Sequence, residues 1–360
     1  MKRKILQIVG FLMAVAFVIT YICYASSLAR EHRSQQRVEE VNVTMEDIAP
    51  TCRFASPESI YDQLQDKGVA IKNEFIEKVD VATISEIIAK NGYVQDVDVY
   101  VTYNGKACID VTQYRPIVRL LNSGFNSYVT TDGMIFRAPS GSACHASVVT
   151  GSFKPLFPAS YEGRVDAFYA SLFAKEDEQL VELNKEFAAL RKNRRKCIKE
   201  KGELKKELRR KLFESKESQA HRVQGVRADI AKCNEKMLAL NGEEMQLEKR
   251  EKSIENRKKK LQKSYDDFMN LINFVSKVRK DDFWGAEVVQ YIASATREGE
   301  VSLRLIPRSG DFVIEFGTLA NADDKLAKLR LFYDKGLSRM GWGLYKTIDV
   351  RYDKQVICKK

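Results

Sequence analysis

The sequence predicts an α+β protein. It reads as one N-terminal membrane-spanning helix, a small β-α-α-β-β module, and a mixed α/β domain split by an inserted antiparallel helical hairpin. Three observations predict this class. An uncharged apolar run, "ILQIVGFLMAVAFVITYICY", occupies positions 5–24. Segments of period-two alternation are separated by turn residues. A proline-free block, Lys175 to Asp266, repeats apolar residues at spacings of three, four and seven. The chain has 360 residues, a net charge of +11, 44% hydrophobic and 30% charged residues. That is too long for one small domain and too apolar for disorder.

As a helix, the run 5–24 spans ~30 Å, the thickness of the bilayer core. Lys2, Arg3 and Lys4 precede it. The positive-inside rule makes residues 1–4 a cytoplasmic tail and puts everything after Tyr24 on the far side of an inner membrane. The competing reading is a cleaved signal peptide with Ser27 and Ala29 at its cleavage site. The run exceeds the roughly 7–15 residues of a signal core, which favours a retained anchor. Cys23 does not suit a lipoprotein, because Tyr21 and Ile22 before it are bulky. No second run of this length follows, so the reading is single-pass, with a juxtamembrane linker at 25–40.

Residues 41–115 read as the first folded module. "VNVTMED", Val41 to Asp47, alternates as a short strand. Ser56-Pro57 offers an N-cap with proline at the first helical position. Ile60, Tyr61 and Leu64 share one helical face, and Gly68 suits the exit. "TISE", Thr83 to Glu86, has the capping-box pattern for a second helix carrying Ile84, Ile87 and Ile88. A hairpin follows, with Val97, Val99, Val101 and Tyr103 on one face, a turn at Asn104-Gly105, and Ala107, Ile109 and Val111 on the return strand. Pro116 cannot donate to a sheet ladder. It fits a boundary where one sheet hands over to the next.

This order, directly after a single anchor, is the layout of a POTRA domain. "NGYVQDVDVYVTYNGKACIDVTQYRPIVRL" resembles the matching stretch of the FtsQ/DivIB cell-division family. The chain has Gly92 and Tyr93 where that family often has proline, but "TQYRP" keeps the Arg115-Pro116 step between the POTRA domain and the β domain. The Thr-Gln form, with Arg119 after the proline, is most similar to the Bacteroidetes branch. "YVTTDGMIF" (128–136) and "VVTG" (148–151) resemble the first half of the family's β domain. "DDFWGAEVVQYIASATREGEVSLRLIPRSGDFVIEFG" (281–317) resembles the second half, in which Val301, Leu303 and Leu305 alternate, as do Phe312, Ile314 and Phe316. "KLAKLRLFYDKGL" reads as a helix with Leu326, Leu329 and Phe332 inward. "TIDVRYDKQV" (347–356) is close to the family's last strand. The resemblance thus covers 1–173 and 268–360, and it makes 116–173 and 268–360 one β domain around an insertion at 174–267.

In the insertion, Leu180, Leu183, Phe187 and Leu190, then Leu204, Leu208 and Leu212, then Ile230, Cys233, Met237, Leu240, Leu247, Ile254 and Leu261 trace a heptad seam. Arg194, Lys201, Glu244, Glu251 and Lys258 interrupt it. One continuous helix would carry the chain ~130 Å away, yet both ends return to one domain. The block must therefore fold back near "ESKESQAHRVQG". A tip near His221 would face Gly202 with Gly242. A tip nearer Ser215 would instead bring Cys197 towards Cys233. The block holds 27 Lys+Arg against 18 Asp+Glu, a net +9. A solvated coiled-coil surface explains that charge; contact with an acidic partner or lipid headgroups is the sharper reading. Nucleic acid is set aside, because the topology puts the hairpin outside the cytoplasm.

The seven cysteines, Cys23, Cys52, Cys108, Cys144, Cys197, Cys233 and Cys358, show no metal-ligand spacing and are too sparse for a disulfide framework. Free, mostly buried thiols are the expectation, with one or two disulfides open in an oxidising compartment. The three histidines, His32, His145 and His221, form no catalytic constellation, and no Walker loop or nucleophile elbow occurs. Cys144-His145 lacks a third partner. Trp284 and Trp342 read as core aromatics. No cofactor or metal is expected, and no enzyme activity.

The resemblance implies a divisome scaffold that binds FtsB- and FtsL-like bitopic partners and helps recruit and regulate septal peptidoglycan synthesis. The alternative is a POTRA-type adaptor of envelope assembly or secretion. In "TIDVRYD", Ile348, Val350 and Tyr352 fall on one face, Asp349 and Arg351 on the other. A terminal strand at a sheet edge can add a partner strand. In FtsQ-like proteins the matching Arg-Tyr pair lies at the FtsB contact, which makes Asp349, Arg351 and Tyr352 the candidate partner-binding residues.

Overall fold

The computed structural model describes residues 13, 15–26, 36–46, 52–122, 124–137, 144–209 and 214–360. Residues 15–26 are helical, and Phe17, Val18, Ile19, Tyr21 and Ile22 are exposed on that helix. Among the described residues no helix is long and apolar enough to cross a membrane. The expected tail 1–4, much of the expected span 5–24 and most of the linker lie outside them.

The first module runs β1 (Glu40–Met45), α1 (Pro57–Asp66), α2 (Val81–Ala89), β2 (Val94–Val101), β3 (Lys106–Gln113). Ser56 caps α1 through a capping box with Ser59, and Pro57 opens the helix. Gly68 leaves it at a positive φ of 72°. The second helix starts earlier than "TISE" suggests. Asp80 is its cap, accepting from the backbone N–H of Ala82 and Thr83. A carboxylate outcompetes the Thr83 hydroxyl, which itself donates to Asp80. The sheet order is β1-β3-β2, with β1 parallel to β3 and β2 antiparallel to it. Val97, Val99 and Val101 lie opposite Val111, Ile109 and Ala107. Tyr103 does not continue that face. The strand ends at Val101, and Tyr103 sits exposed in the turn. Ile60 and Leu64 of α1, Ile84 and Ile88 of α2 and Ile109 of β3 make the core.

The second module is a ten-stranded sheet. Its strands are β4 (Pro116–Leu120), β5 (Ser127–Thr130), β6 (Met134–Phe136), β7 (Ser147–Gly151), β8 (Gly163–Arg164), β9 (Val288–Ala295), β10 (Val301–Pro307), β11 (Val313–Thr318), β12 (Thr347–Asp349) and β13 (Ile357–Lys359). The order is β13-β12-β11-β10-β9-β7-β4-β5-β6-β8. The stretches before and after the insertion meet where β7 runs parallel to β9, with Val149 opposite Tyr291 and Gly151 opposite Ala293. A Cβ on Gly151 would lie 2.1 Å from the Ala293 carbonyl oxygen, and its φ is +111°, so only glycine closes this join.

After β11 comes α3 of this module, Ala322–Phe332. Leu326 and Leu329 face inward as expected, but Phe332 is only half-buried. A π-helical turn, Tyr333–Leu337, advances the phase and buries Tyr333 and Leu337 instead. Tyr333 packs edge-on against Phe283, Trp284 and Trp342. Trp284 is core, as expected; Trp342 is partly exposed at the margin.

Residues Pro155–Phe157 and Arg164–Leu271 form a second compact unit. Two long helices run Val165–Glu207 and Lys216–Lys280, beyond the 174–267 limits where the resemblance breaks. They are the outgoing and returning arms of the hairpin. Leu183, Leu190, Leu247 and Ile254 fill the seam. Three of the polar interruptions form ion pairs across it: Arg194 with Glu244 at 2.6 Å, and Lys258 with Asp177 at 2.6 Å. The fold-back is the one nearer Ser215. Cys197 meets Cys233, whereas Gly202 and Gly242 have nothing near them and do not face each other. Arg222 closes the tip, bonding both carboxylate oxygens of Glu214 and the backbone carbonyl of Glu207.

Candidate partner-binding site

The C-terminal strands form one end of the ten-stranded sheet. β12 runs parallel to β11, with Ile314 opposite Ile348. The expected strand 347–356 stops at Asp349, and the chain turns back as β13, pairing Ile348 with Cys358. β12 is therefore not the edge; β13 is. The reversal occurs because Asp349 is buried, 3% exposed, and turns its carboxylate onto the next residues instead of to solvent. Arg351 donates to it from its backbone N–H, its Nε and its Nη2. Burial alone would raise the Asp349 carboxyl, but the hydrogen bonds and charge of Arg351 outweigh it and hold the carboxyl below its ordinary value.

Arg351 lies over Gly317 of β11. A Cβ there would come within 2.7 Å of the Arg351 Cγ, and Gly317 has a φ of +75°. From α3, Lys328 donates to the backbone carbonyls of Val350 and Tyr352. The result is a pinned turn. Ile348 and Val350 point into the core, and Tyr352 points out, 46% exposed. Of the three candidate residues, Arg351 and Tyr352 are accessible, while Asp349 sits beneath them as their support. An exposed aromatic and a half-exposed arginine beside an open strand edge suit β-augmentation with flanking side-chain anchors.

The Arg115-Pro116 step lies in the same compact unit, where β4 is an interior strand between β7 and β5. β3 ends at Gln113 and Pro116 opens β4. Arg115 pairs with Glu46 at 2.6 Å. Arg279, near the end of the returning arm, donates to the carbonyl oxygens of Ile117 and His145. Gln113 is buried and ties the step to the segment before α1. Its Oε1 accepts from the N–H of Phe54 and Ala55, and its Nε2 donates to the Cys52 carbonyl. Beside it, Cys52 and Cys144 form a disulfide. This departs from the expectation of free thiols and accounts for Cys144 beside His145. Phe54, Tyr93, Tyr128 and Phe136 pack around the bond.

Two family models match the chain. A POTRA-like domain covers residues 36–112, and FtsQ/DivIB, C-terminal related, covers 235–359. The second takes in β9 to β13, α3 and much of the returning arm. The two matches together support an FtsQ/DivIB family protein. No curated protein matches it. The FtsQ/DivIB family implies a role in cell division.

Arg351, Tyr352 and the β13 edge all fall inside the stretch matched by the FtsQ/DivIB C-terminal related model. Sequence reasoning missed three parts of the site: Lys328, Gly317 and β13 itself. "VIC" before the terminal lysines carried a weak strand signal for β13. Lys328 carried none, because its role comes from the packing of α3 beside β12.

Proposed function

We propose that this FtsQ/DivIB chain is a membrane-anchored divisome scaffold that works by binding. Its N-terminal segment, Ile5 to Tyr24, holds it in the inner membrane with the bulk on the far side. Its C-terminal edge takes a strand from FtsB- and FtsL-like bitopic partners, and the assembly helps recruit and regulate septal peptidoglycan synthesis. The observation that carries the reading is the pinned turn beside β13, in which Asp349, Gly317 and Lys328 fix Arg351 and Tyr352 against an open strand edge. The Cys52–Cys144 disulfide supports a location in an oxidising compartment, as the far-side topology requires. The net positive charge of the hairpin supports a second contact, with an anionic surface.

The test is depletion in the native host, with partner recovery from a tagged chain. Filamentous cells and co-purified FtsB- and FtsL-like proteins are expected. Normal division with loss of outer-membrane proteins would instead favour an assembly adaptor. Vesicles containing anionic lipid should retain the chain lacking residues 1–24 at low salt and release it at high salt, where the Debye length falls to about 3 Å at 1 M.

A further inference from the structure

The hairpin seam changes character in its distal half. Nearer the base it is filled by Leu183, Leu190, Leu247 and Ile254. Further out, two cysteines face each other. Cys197 of the outgoing arm and Cys233 of the returning arm are both buried, and the Cys197 Sγ lies 3.9 Å from the Cys233 carbonyl oxygen. Glu200 stands almost one turn beyond Cys197. The two sulfurs and a Glu200 carboxylate oxygen all lie within 4.8 Å of one another.

A pair of small residues in a seam needs no carboxylate. Glu200 makes no ion pair or hydrogen bond among the described residues, although basic side chains surround it in sequence. Residues 191–236 hold 17 Lys+Arg against 7 Asp+Glu, a net +10, so the whole of the hairpin's net positive charge is distal. A carboxylate that declines those partners and sits against two buried thiols has the placement of a ligand.

The chemistry of the set agrees. Ligands at i and i+3 of one helix, with a third from the facing helix, are how helical bundles hold metals. Two thiolates and a carboxylate suit a borderline dication such as Zn2+, with bonds of about 2.3 Å to sulfur and 2.0–2.2 Å to oxygen. Around a tetrahedral ion such ligand atoms lie roughly 3.5–3.8 Å apart. Side-chain rotation of about an ångström brings the present set to that spacing. Two thiols lose their protons to solvent as the ion binds. The resulting set carries three negative charges against two positive, and the surrounding lysines and arginines stabilise the excess.

We propose that Cys197, Glu200 and Cys233 form a site for a Zn2+-class dication that clamps the two arms and fixes the register of the basic tip. Glu200, partly exposed, marks the side on which a water completes the coordination.

The test uses the full-length chain in detergent, with Zn2+ and Co2+ as probes. One equivalent should bind, and the Co2+ form should show a thiolate-to-metal charge-transfer band. Glu200→Gln, a change on the partly exposed side, should weaken Zn2+ affinity by at least about tenfold while helicity is kept. Cys233→Ser should abolish the band. The facing thiols could instead close to a disulfide, each losing a proton and the pair giving two electrons to an oxidised dithiol. Peptide mapping that finds Cys197 joined to Cys233 in protein isolated without reductant would overturn the proposal. So would affinity and stoichiometry that ignore both substitutions.

Discussion

Asp349 and Arg351 hold each other in a two-pronged ion pair, with Nε 2.9 Å from Oδ1 and Nη2 2.6 Å from Oδ2. The two side chains are unequally placed. That of Asp349 is 4% exposed and that of Arg351 48%. The pair is thus a surface guanidinium neutralising a buried carboxylate, and it shapes the turn that presents Tyr352.

Substitutions at these neighbours should separate folding from binding. Arg351→Glu sets a second carboxylate against a buried one and leaves it uncompensated. A loss of about 1–3 kcal/mol in denaturant unfolding is expected, with solvent around the half-exposed arginine keeping it at the modest end. Loss of partner with that variant would not distinguish a contact from a misshapen turn. Tyr352→Ala removes an exposed ring. It should leave the melting temperature within experimental error and still reduce FtsB co-purification. A Tyr352→Ala protein that recovers its partner at the wild-type level moves the interface away from this edge.

The same pair predicts an acid dependence. The folded Asp349 carboxyl is held below its ordinary value, because the bonds from Arg351 outweigh the cost of burial. Its stabilisation is therefore complete above the unfolded value, roughly pH 4, and is lost as pH falls through the lower folded value. Unfolding free energy measured between pH 5 and 2 should fall more steeply for the wild type than for Asp349→Asn. Parallel profiles would mean that the pair does not set the acid limb.

Much of this fold was legible because the signals were local. Ser56-Pro57, Asn104-Gly105 and the alternating Val301, Leu303 and Leu305 each act on their own neighbourhood, and each sits where its pattern puts it. The errors arose where a distant element decided. The π-helical turn at Tyr333 shifts a helical face that the 3.6-residue period assigned to Phe332. Asp349 alternates as a solvent-facing residue, but Arg351 lets it be buried. Cys52 and Cys144 are 92 residues apart, and no spacing rule joins them. Cys197 and Cys233 could be paired only once the position of the tip was known. The polar interruptions of the seam looked like defects because their partners lie on the other arm.

The Cys52–Cys144 bond predicts a stability cost on reduction. It closes a loop with a sequence separation of 92. Bonds over loops of this size restrict the unfolded chain, and their removal typically costs about 2–4 kcal/mol. Cys52→Ser with Cys144→Ser should lower the denaturant midpoint, and reductant should lower that of the wild type to a similar value. Gln113 and the Phe54 cluster keep the junction packed without the bond, so near-ultraviolet circular dichroism should persist. Collapse of that signal on reduction would show that the bond, and not the packing, holds the step.

The hairpin can be removed at a place the structure makes plain. Arg257 reaches Glu176 at 2.9 Å and Gln179 at 2.7 Å, and Lys258 reaches Asp177, so the arms lie side by side at this level. Towards the base, Phe157, Phe168, Tyr169, Tyr265 and Phe268 pack edge to face, outside the stretch Leu180 to Leu261. A short Gly/Ser linker in place of Leu180 to Leu261 therefore bridges neighbouring helices at little loop-closure cost. The shortened chain should remain soluble and unfold cooperatively. With residues 1–24 also removed, its binding to anionic vesicles should drop sharply, because the deleted part includes the whole net +10 segment at 191–236. Partner recovery through the β13 edge should be unchanged. If the shortened protein is insoluble, the arms belong to the folding core. If it folds, keeps its partner and still fails to support division, the hairpin has a task of its own, separate from the C-terminal edge.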